Sequence, residues 1–572
     1  MKPIVIVYLF VSLISINVFG QKVDINKYKS YVMYLASDSL KGRKPGTNGA
    51  DSAAVFIQKN FHANGVQPLC DNYLQVFSIP KSISVIASET NMQINKTEMV
   101  LNSDFTPLSY SENGTFNADA VFIGNGSKIK ADSTQDFKDK VKGKWVIILK
   151  EKSSGMPKPE SGREKSLTAK DMGAIGVIFI NPDSTQDVLF NFSKNVGNRY
   201  NSGLAAIQIT NSSAKKLFYQ NWQDFKRNDY SYKNPLFLNI NILANIKVIE
   251  EKTNTYNVVG IIPGTDSTLK EYIIIGAHYD HLGYGGEGSG SRNPDLHEIH
   301  NGADDNASGT AALIEIASMI NNNNIKNKRT IILVAFSSEE SGLLGSKFFT
   351  SNIPMKMGKI VAMFNMDMIG RMKNNALLIG GSGTSVESDT ILKQVNKEKF
   401  ILKLSPEGFG PSDHASFYTE NIPVFFITTG PHSDYHLPVD DYWLLNYKGI
   451  KKILSYSFRL IMEVSNRDSA LTFKQSGPSK EENTNVSYKV TLGIIPDMSS
   501  SRENGLGVDG VRENGPAAKG GIKKDDIITA IEGKPVKNIY EYMHRLNELE
   551  LGKIISVEIL RKGRKQILLI QL

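Results

Sequence analysis

Tyr272-Ile273-Ile274-Ile275-Gly276-Ala277-His278-Tyr279-Asp280 is the stretch that decides the fold. Its first six residues are a short, β-branched-rich run that is apolar on both faces, as expected of a parallel strand covered by helices on each side. A histidine and an acid follow at once. The same pattern returns three times: Thr330–Phe336 leads into Ser338-Glu339-Glu340-Ser341, residues 360–365 lead into Met366-Asp367-Met368, and residues 423–428 lead toward Asp434-Tyr435-His436. Helical periodicity occupies 308–320 and 447–465. Strand, helix and strand in alternation predict an α/β fold, doubly wound around a mixed, mainly parallel sheet.

In such a sheet, ligands bind outside the carboxyl ends of the strands. His278 and Asp280 follow the first core strand, Glu339 and Glu340 the second, Asp367 the third, and His436 the loop after the fourth. Asp305, within Gly302-Ala303-Asp304-Asp305-Asn306, stands just before a helix, where negative charge is favoured. These segments converge on one sheet edge. Imidazole and carboxylate donors without cysteine suit zinc in a catalytic site. The pattern is that of a hydrolase that uses metal. Such chemistry also needs a carboxylate that does not ligate, to take a proton from water and pass it on. Glu339, next to Glu340, can fill that role.

Other residues have plainer readings. His297-Glu298-Ile299-His300 is one residue short of a zinc helix motif and lies among glycines and asparagines, so it reads as a rim loop. His281 and His414 read as supporting or structural residues. Arg371 suits either a substrate carboxylate or a buried hydrogen-bonding role beside Asp367.

The chain has 572 residues, a net charge of +8 and 40% apolar residues, which predicts several packed units and little wholesale disorder. Its lysines and acids are interspersed without a basic arm or stripe, which argues against nucleic acid as a partner. One lysine, an apolar run over 4–14 and Val18-Phe19-Gly20 form a signal-peptide pattern over 1–20, implying a secreted or periplasmic protein. No later run is long and apolar enough to predict a stable membrane span. Cys70 is the only cysteine, so no disulfide forms within the chain, and its mixed apolar surroundings predict a buried structural thiol.

The motifs resemble those of the co-catalytic dizinc aminopeptidases, secreted leucyl-aminopeptidase-like metallopeptidases with a zinc exopeptidase fold. The likeness takes in 301–309, Glu339-Glu340-Ser341-Gly342-Leu343, 365–371, Gly410-Pro411-Ser412-Asp413-His414 and Tyr435-His436-Leu437-Pro438. It covers 22–117 and 246–465. The resemblance implies two Zn2+ per chain, with Asp305 bridging them, His278 and Asp367 completing one set of ligands, and Glu340 and His436 the other. It implies Glu339 as general acid/base, Asp280 orienting His278 from behind, and Tyr435 steadying the reacting carbonyl. Asp441 departs from relatives, which often carry a small hydroxyl residue after Asp440.

Two accessory units are expected. Residues 141–148 and 170–178 resemble a protease-associated domain, inserted over 118–245 between an N-terminal part at 21–117 and the catalytic part at 246–465. After a polar linker at 466–487, residues 488–572 resemble a PDZ domain, a small α+β unit that takes a peptide C-terminus near Leu492-Gly493-Ile494. The resemblance points to an aminopeptidase acting on peptide or protein N-termini. The alternatives are a carboxypeptidase or other peptide hydrolase on the same dizinc site, and a peptide-binding protein without catalysis. The intact ligand set speaks against the last, and against the one-zinc glutaminyl cyclases.

Overall fold

The apolar runs form the centre of a nine-stranded sheet in the computed structural model. The structure describes residues 23–126, 135–149, 161–181, 188–190, 199–218, 235–286, 288–322, 326–354, 358–476, 490–497, 504–512 and 514–572. The leader expected at 1–20 and most of the expected linker therefore lie outside the described residues.

Glu271–His278 pairs in parallel with Thr330–Phe336 on one side and Lys359–Met366 on the other. The chain thus steps first to one side of its starting strand and then to the other, which creates a switch point at the carboxyl end of Glu271–His278. Val424–Thr428 continues the parallel set beyond Lys359–Met366. Antiparallel pairs flank this centre: Ala376–Gly380 against Val424–Thr428, and Val248–Ile262 against Thr330–Phe336. The sheet is mixed and mainly parallel at its core, as its sequence predicts.

Both faces are covered. One face packs Ile273, Ile275, Leu333 and Phe364 against helices Ile25–Leu35, Asn48–Ala63, Gly309–Asn322 and Tyr447–Asn466. On the opposite face Ile274, Ile332, Val334 and Met363 meet Phe349 and Phe417, from helices Leu344–Ser351 and His414–Tyr418. Cys70 packs at the margin of this second cluster and is half-buried, not buried as expected. Burial pushes its thiol up to about 11, which leaves it unreactive at neutral pH.

An eight-stranded sheet forms the middle unit, with Gly114–Phe122, Trp145–Leu149, Gly176–Ile180 and Ala205–Ile209 parallel at its centre. Its strands begin at Asn91, well ahead of the expected start at 118, which falls inside Gly114–Phe122. The early strands Asn91–Ile94 and Thr97–Met99 are short and partly exposed, so they lack the continuous apolar run that marks a core strand. Trp145 is fully buried there and donates its indole N–H to the Ile242 carbonyl at 3.1 Å.

The C-terminal unit has a six-stranded sheet with Ile494–Pro496 at its edge, and helix Ile539–Leu546 across it. It is held to the middle unit by charge. Lys170 Nζ lies 2.9 Å from Glu541 Oε1, and Asp171 takes a two-pronged contact from Arg545, with Nη2 at 2.8 Å from Oδ1. Burial alone would raise the Asp171 carboxyl, but His544 and Arg545 hold it well below the usual range. A depressed carboxyl contributes stability above its unfolded value of 3.8 and loses it as pH falls below that value. Asp171→Asn is expected to weaken this junction by about 2–3 kcal/mol, the worth of hydrogen bonds to a charged partner. Limited proteolysis of the 466–487 segment checks this. Cutting should quicken in the variant at neutral pH, but in the unsubstituted chain only below pH 3.8.

Candidate metal centre

Each strand of the parallel core delivers its residues to the same edge. His278 is the last residue of Glu271–His278, and Asp367 follows Lys359–Met366 directly. Glu339 and Glu340 lie in the loop after Thr330–Phe336, His436 in the loop after Val424–Thr428, and Asp305 in the tight turn Ala303–Ser308 ahead of Gly309–Asn322. Asp305 is central. Its Oδ1 is 3.3 Å from His278 Nε2, which is also 3.4 Å from Asp367 Oδ1. Its Oδ2 is 3.2 Å from His436 Nε2, which is also 3.2 Å from Glu340 Oε2. One carboxylate thus faces two separate histidine–carboxylate pairs.

The rings present lone pairs to these points. His436 Nδ1 meets the Gly290 carbonyl at 2.9 Å and His278 Nδ1 meets that of Asp280 at 3.3 Å, so in the neutral form of both rings Nδ1 carries the hydrogen and Nε2 offers the lone pair. Both Nε2 atoms and Asp367 Oδ1 are buried without a hydrogen-bond partner among the described residues. Buried polar atoms are normally satisfied, so a cluster of exceptions aimed at common points calls for a missing partner. Nitrogen and carboxylate oxygen donors suit a divalent ion of the zinc type.

Charge gives the same answer. Asp280, Asp305, Glu339, Glu340, Asp367 and Asp413 crowd the site. Burial would lower the His278 imidazole, yet Asp367, Glu339 and Asp305 drive it well above its ordinary range. His436 likewise, lowered by burial, is carried up to about 10 by Asp305 and Glu340. The Glu339 carboxyl is pushed well up, first by burial and then, against His278, by Glu340, Asp413 and Asp367. The cluster holds more negative charge than its histidines neutralise.

The backbone here is held in unusual conformations. Ser338, Met368 and His436 have φ of 60°, 55° and 55°, a left-handed region that side chains rarely adopt. Each is a site residue or its neighbour, and such conformations persist only where the surroundings fix them. Gly302, at φ +54°, opens the Asp305 turn, and a Cβ there would lie 2.1 Å from the Asp305 carbonyl oxygen. Asp440 Oδ2 accepts the backbone N–H groups of Asp304 and Asp305 at 2.8 and 3.1 Å. Asn306 ties this turn to the next strand, donating to the Met366 carbonyl at 3.0 Å.

The supporting residues divide. The Asp280 carboxylate lies 3.8 Å from His278 Nδ1 and accepts the Glu339 N–H at 3.1 Å, so it holds the Glu339 backbone at closer range than the ring it was expected to orient. Tyr435 stacks on His436 with centroids 3.8 Å apart. His281 is buried and sits 2.7 Å from Glu340 Oε1 and 3.9 Å from Asp305 Oδ2, so that with these two carboxylates it forms a further group that could hold a metal. His414 is stacked on Phe426 at 4.4 Å, and burial lowers it to about 3. Arg371 is engaged by Asp440 and Asp434 at 3.1 and 3.0 Å, which removes it as a free receptor for a substrate carboxylate. Asp441 accepts from Asn301 at 3.1 Å, away from the donor cluster. In the rim loop His300 meets Ser291 at 2.9 Å and His297 stacks on Tyr284.

Sequence reasoning missed Arg43. Only 1% exposed, it donates to the backbone carbonyls of Leu35, Tyr279, Asn301 and Gly302. It thereby joins the N-terminal segment to the backbone on both sides of the donor cluster. A lone arginine among Gly and Pro carries no local sign that it will be buried.

The fold and donor set together define an α/β protein with a metal-type site at a topological switch point. The Peptidase family M28 model matches residues 257–461, a PA domain model residues 106–217 and a PDZ domain model residues 490–572. Among curated proteins it is similar to leupeptin-inactivating enzyme 1 of Streptomyces exfoliatus, 27% identical over 31% of this chain and 36% of that protein. It is also similar to a probable leucine aminopeptidase of Trichophyton verrucosum, 30% identical over 32% and 48%. The chain thus spans between about a third and a half of the length of these relatives. Similar solved structures include the aminopeptidase from Aneurinibacillus sp. strain AM-1, at 20% identity over 79% of this chain and 97% of that one, TM-score 0.46. Another is BSAP, a zinc aminopeptidase from Bacillus subtilis, at 17% identity over 78% and 96%, TM-score 0.46. No helix among the described residues is long and apolar enough to cross a membrane.

Proposed function

We propose that the chain is a secreted or periplasmic dizinc aminopeptidase that hydrolyses the N-terminal peptide bond of peptides. The observation that carries this is Asp305, whose two carboxylate oxygens face separate donor pairs, each with a histidine Nε2 that has no hydrogen-bond partner among the described residues. In this reading Asp305 would hold both zinc ions, with His278 and Asp367 completing the protein ligands of one and Glu340 and His436 those of the other. Zinc so held would supply a water of lowered pKa and a Lewis acid for the scissile carbonyl.

The rest falls to the chain. Glu339 is the general acid/base. Its carboxylate makes no hydrogen bond among the described residues and is only partly buried, which leaves it open to take a proton and return it to the leaving amine. Asp280 holds the Glu339 backbone and His281 holds Glu340. Tyr435 keeps its phenol protonated, because burial, then Asp305 and Glu340, push it far up, so it can donate to the carbonyl oxygen as charge develops there. The PDZ domain presents Ile494–Pro496 as an edge strand, which supports its taking a peptide C-terminus.

Hydrolysis of a panel of aminoacyl-4-nitroanilides, with and without chelation, tests this. Activity should vanish with chelator, return with zinc and be confined to free-amine substrates. Activity on N-blocked peptides with release of the C-terminal residue would instead make it a carboxypeptidase.

A further inference from the structure

A cavity of about 580 Å3 lies where the three units meet. The peptidase domain contributes Ser341, Gly342 and Leu343, the residues that follow Glu339 and Glu340; the PA domain contributes Arg163 and Tyr200, and the PDZ domain Ile495, Pro496 and Tyr540. A second cavity, of about 230 Å3, contains His281 and Glu340 and shares Ser341 with the first. The metal site and the PDZ edge strand thus open onto adjoining spaces.

Chain polarity connects them. A peptide held by its carboxylate at Leu492-Gly493-Ile494 and added along Ile494–Pro496 must run antiparallel to that strand. Its C-terminus then sits where the strand starts, and its earlier residues leave past Pro496. Pro496 lines the large cavity together with Ser341–Leu343. The N-terminal part of the bound peptide therefore enters the cavity walled by the residues that follow Glu340. Tyr540 walls the same end and is fixed there, with the Arg163 guanidinium 4.1 Å from its ring centroid and the Tyr200 ring at 5.3 Å.

The same geometry identifies the occupant. The tail of a separate folded partner would have to carry the partner's body into the cavity, where the peptidase and PA domains stand. A short peptide with two free ends has no such body. We infer that the PDZ groove and the metal site bind opposite ends of one substrate molecule, so that the preferred substrates are oligopeptides with a free carboxylate and enough length to span the cavity. This rests on the aminopeptidase reading above.

The test uses the zinc-loaded full chain and a length series of peptides sharing one N-terminal residue, each as free acid and as C-terminal amide, with the aminoacyl-4-nitroanilide as reference. A carboxylate captured by backbone N–H groups is worth hydrogen bonds to a charge, so amidation should raise KM about tenfold or more once the peptide is long enough. Shorter peptides should show no such penalty. An amidation penalty that is absent, or equal at every length including dipeptides, overturns the proposal. If the reference substrate is not cleaved, the aminopeptidase reading fails and this proposal falls with it, an outcome distinct from cleavage that ignores the carboxylate.

Discussion

Glu339→Gln is expected to lower kcat on an aminoacyl arylamide by about a thousandfold, within the usual range for loss of a positioned general acid/base. Glutamine keeps the shape and some of the hydrogen bonding but cannot take a proton. Because Glu339 is not assigned to either donor pair, zinc content and the thermal transition should stay as in the unsubstituted chain. The two readouts together separate a proton-transfer role from a ligand role. Glu340→Gln should differ, reducing activity and bound zinc together. The rival base is Asp413, whose carboxyl is pushed up to about 7, chiefly by burial. Asp413 is completely buried, however, and the surface of both its oxygens is closed to solvent. It therefore lacks the access to substrate that half-buried Glu339 retains. A Glu339→Gln enzyme within tenfold of normal would sink the assignment and move attention to Asp413.

The sequence made part of the donor cluster legible because His278, Glu340 and Asp367 stand at or just past the ends of continuous apolar runs. A strand with apolar residues on both faces has one place to put a polar side chain, namely where it leaves the sheet. His278, Glu340 and Asp367 were therefore readable as a convergent set before any distance was known. The residues that hold this set were less readable. Asp440 acts through backbone N–H groups of a turn 135 positions before it, at Asp305, and Arg371 acts by donating to the Asp440 carboxylate 69 positions later. No local periodicity encodes a contact of that span. His281 reads from sequence as support, and in the structure its Nδ1 joins Asp305 and Glu340, 3.9 Å from Asp305 Oδ2 and 2.7 Å from Glu340 Oε1, in a group that could itself hold a metal. The early start of the middle sheet was hidden because Asn91–Ile94 and Thr97–Met99 gain their identity from pairing with each other and with Leu236–Ile246. The three-unit cavity was out of reach for the same reason, since its walls come from three separately encoded units.

Arg43→Met is expected to destabilise the protein by about 3–5 kcal/mol, the loss seen when a buried charged group is deleted and its partners remain. The residue serves four carbonyls, those of Leu35, Tyr279, Asn301 and Gly302, and methionine fills the space without serving any of them. A carbonyl stripped of its partner in the interior is penalised by about 1–3 kcal/mol unless water reaches it. Against a typical total stability of about 5–15 kcal/mol, a loss of that size is large. Two effects are mixed in the substitution, and Arg43→Lys separates them. Burial pulls the guanidinium down to about 10, with Asp280 and Asp305 drawing it back, so it is charged at neutral pH. Lysine keeps that charge but lacks the planar fork that reaches several segments at once. Urea unfolding of the chelated protein should place Lys between Arg and Met if both charge and fork matter. Lys matching Met would assign the effect to the fork. Lys matching Arg would show that the cation beside Asp280, Asp305 and Glu340 is what the fold requires. Zinc affinity then gives an independent check, because Asn301 and Gly302 lead directly into the Asp305 turn. If Arg43 sets the position of that turn, zinc binding should weaken in both variants; if it acts as a counter-charge, Met alone should bind zinc more tightly, having lost a competing cation.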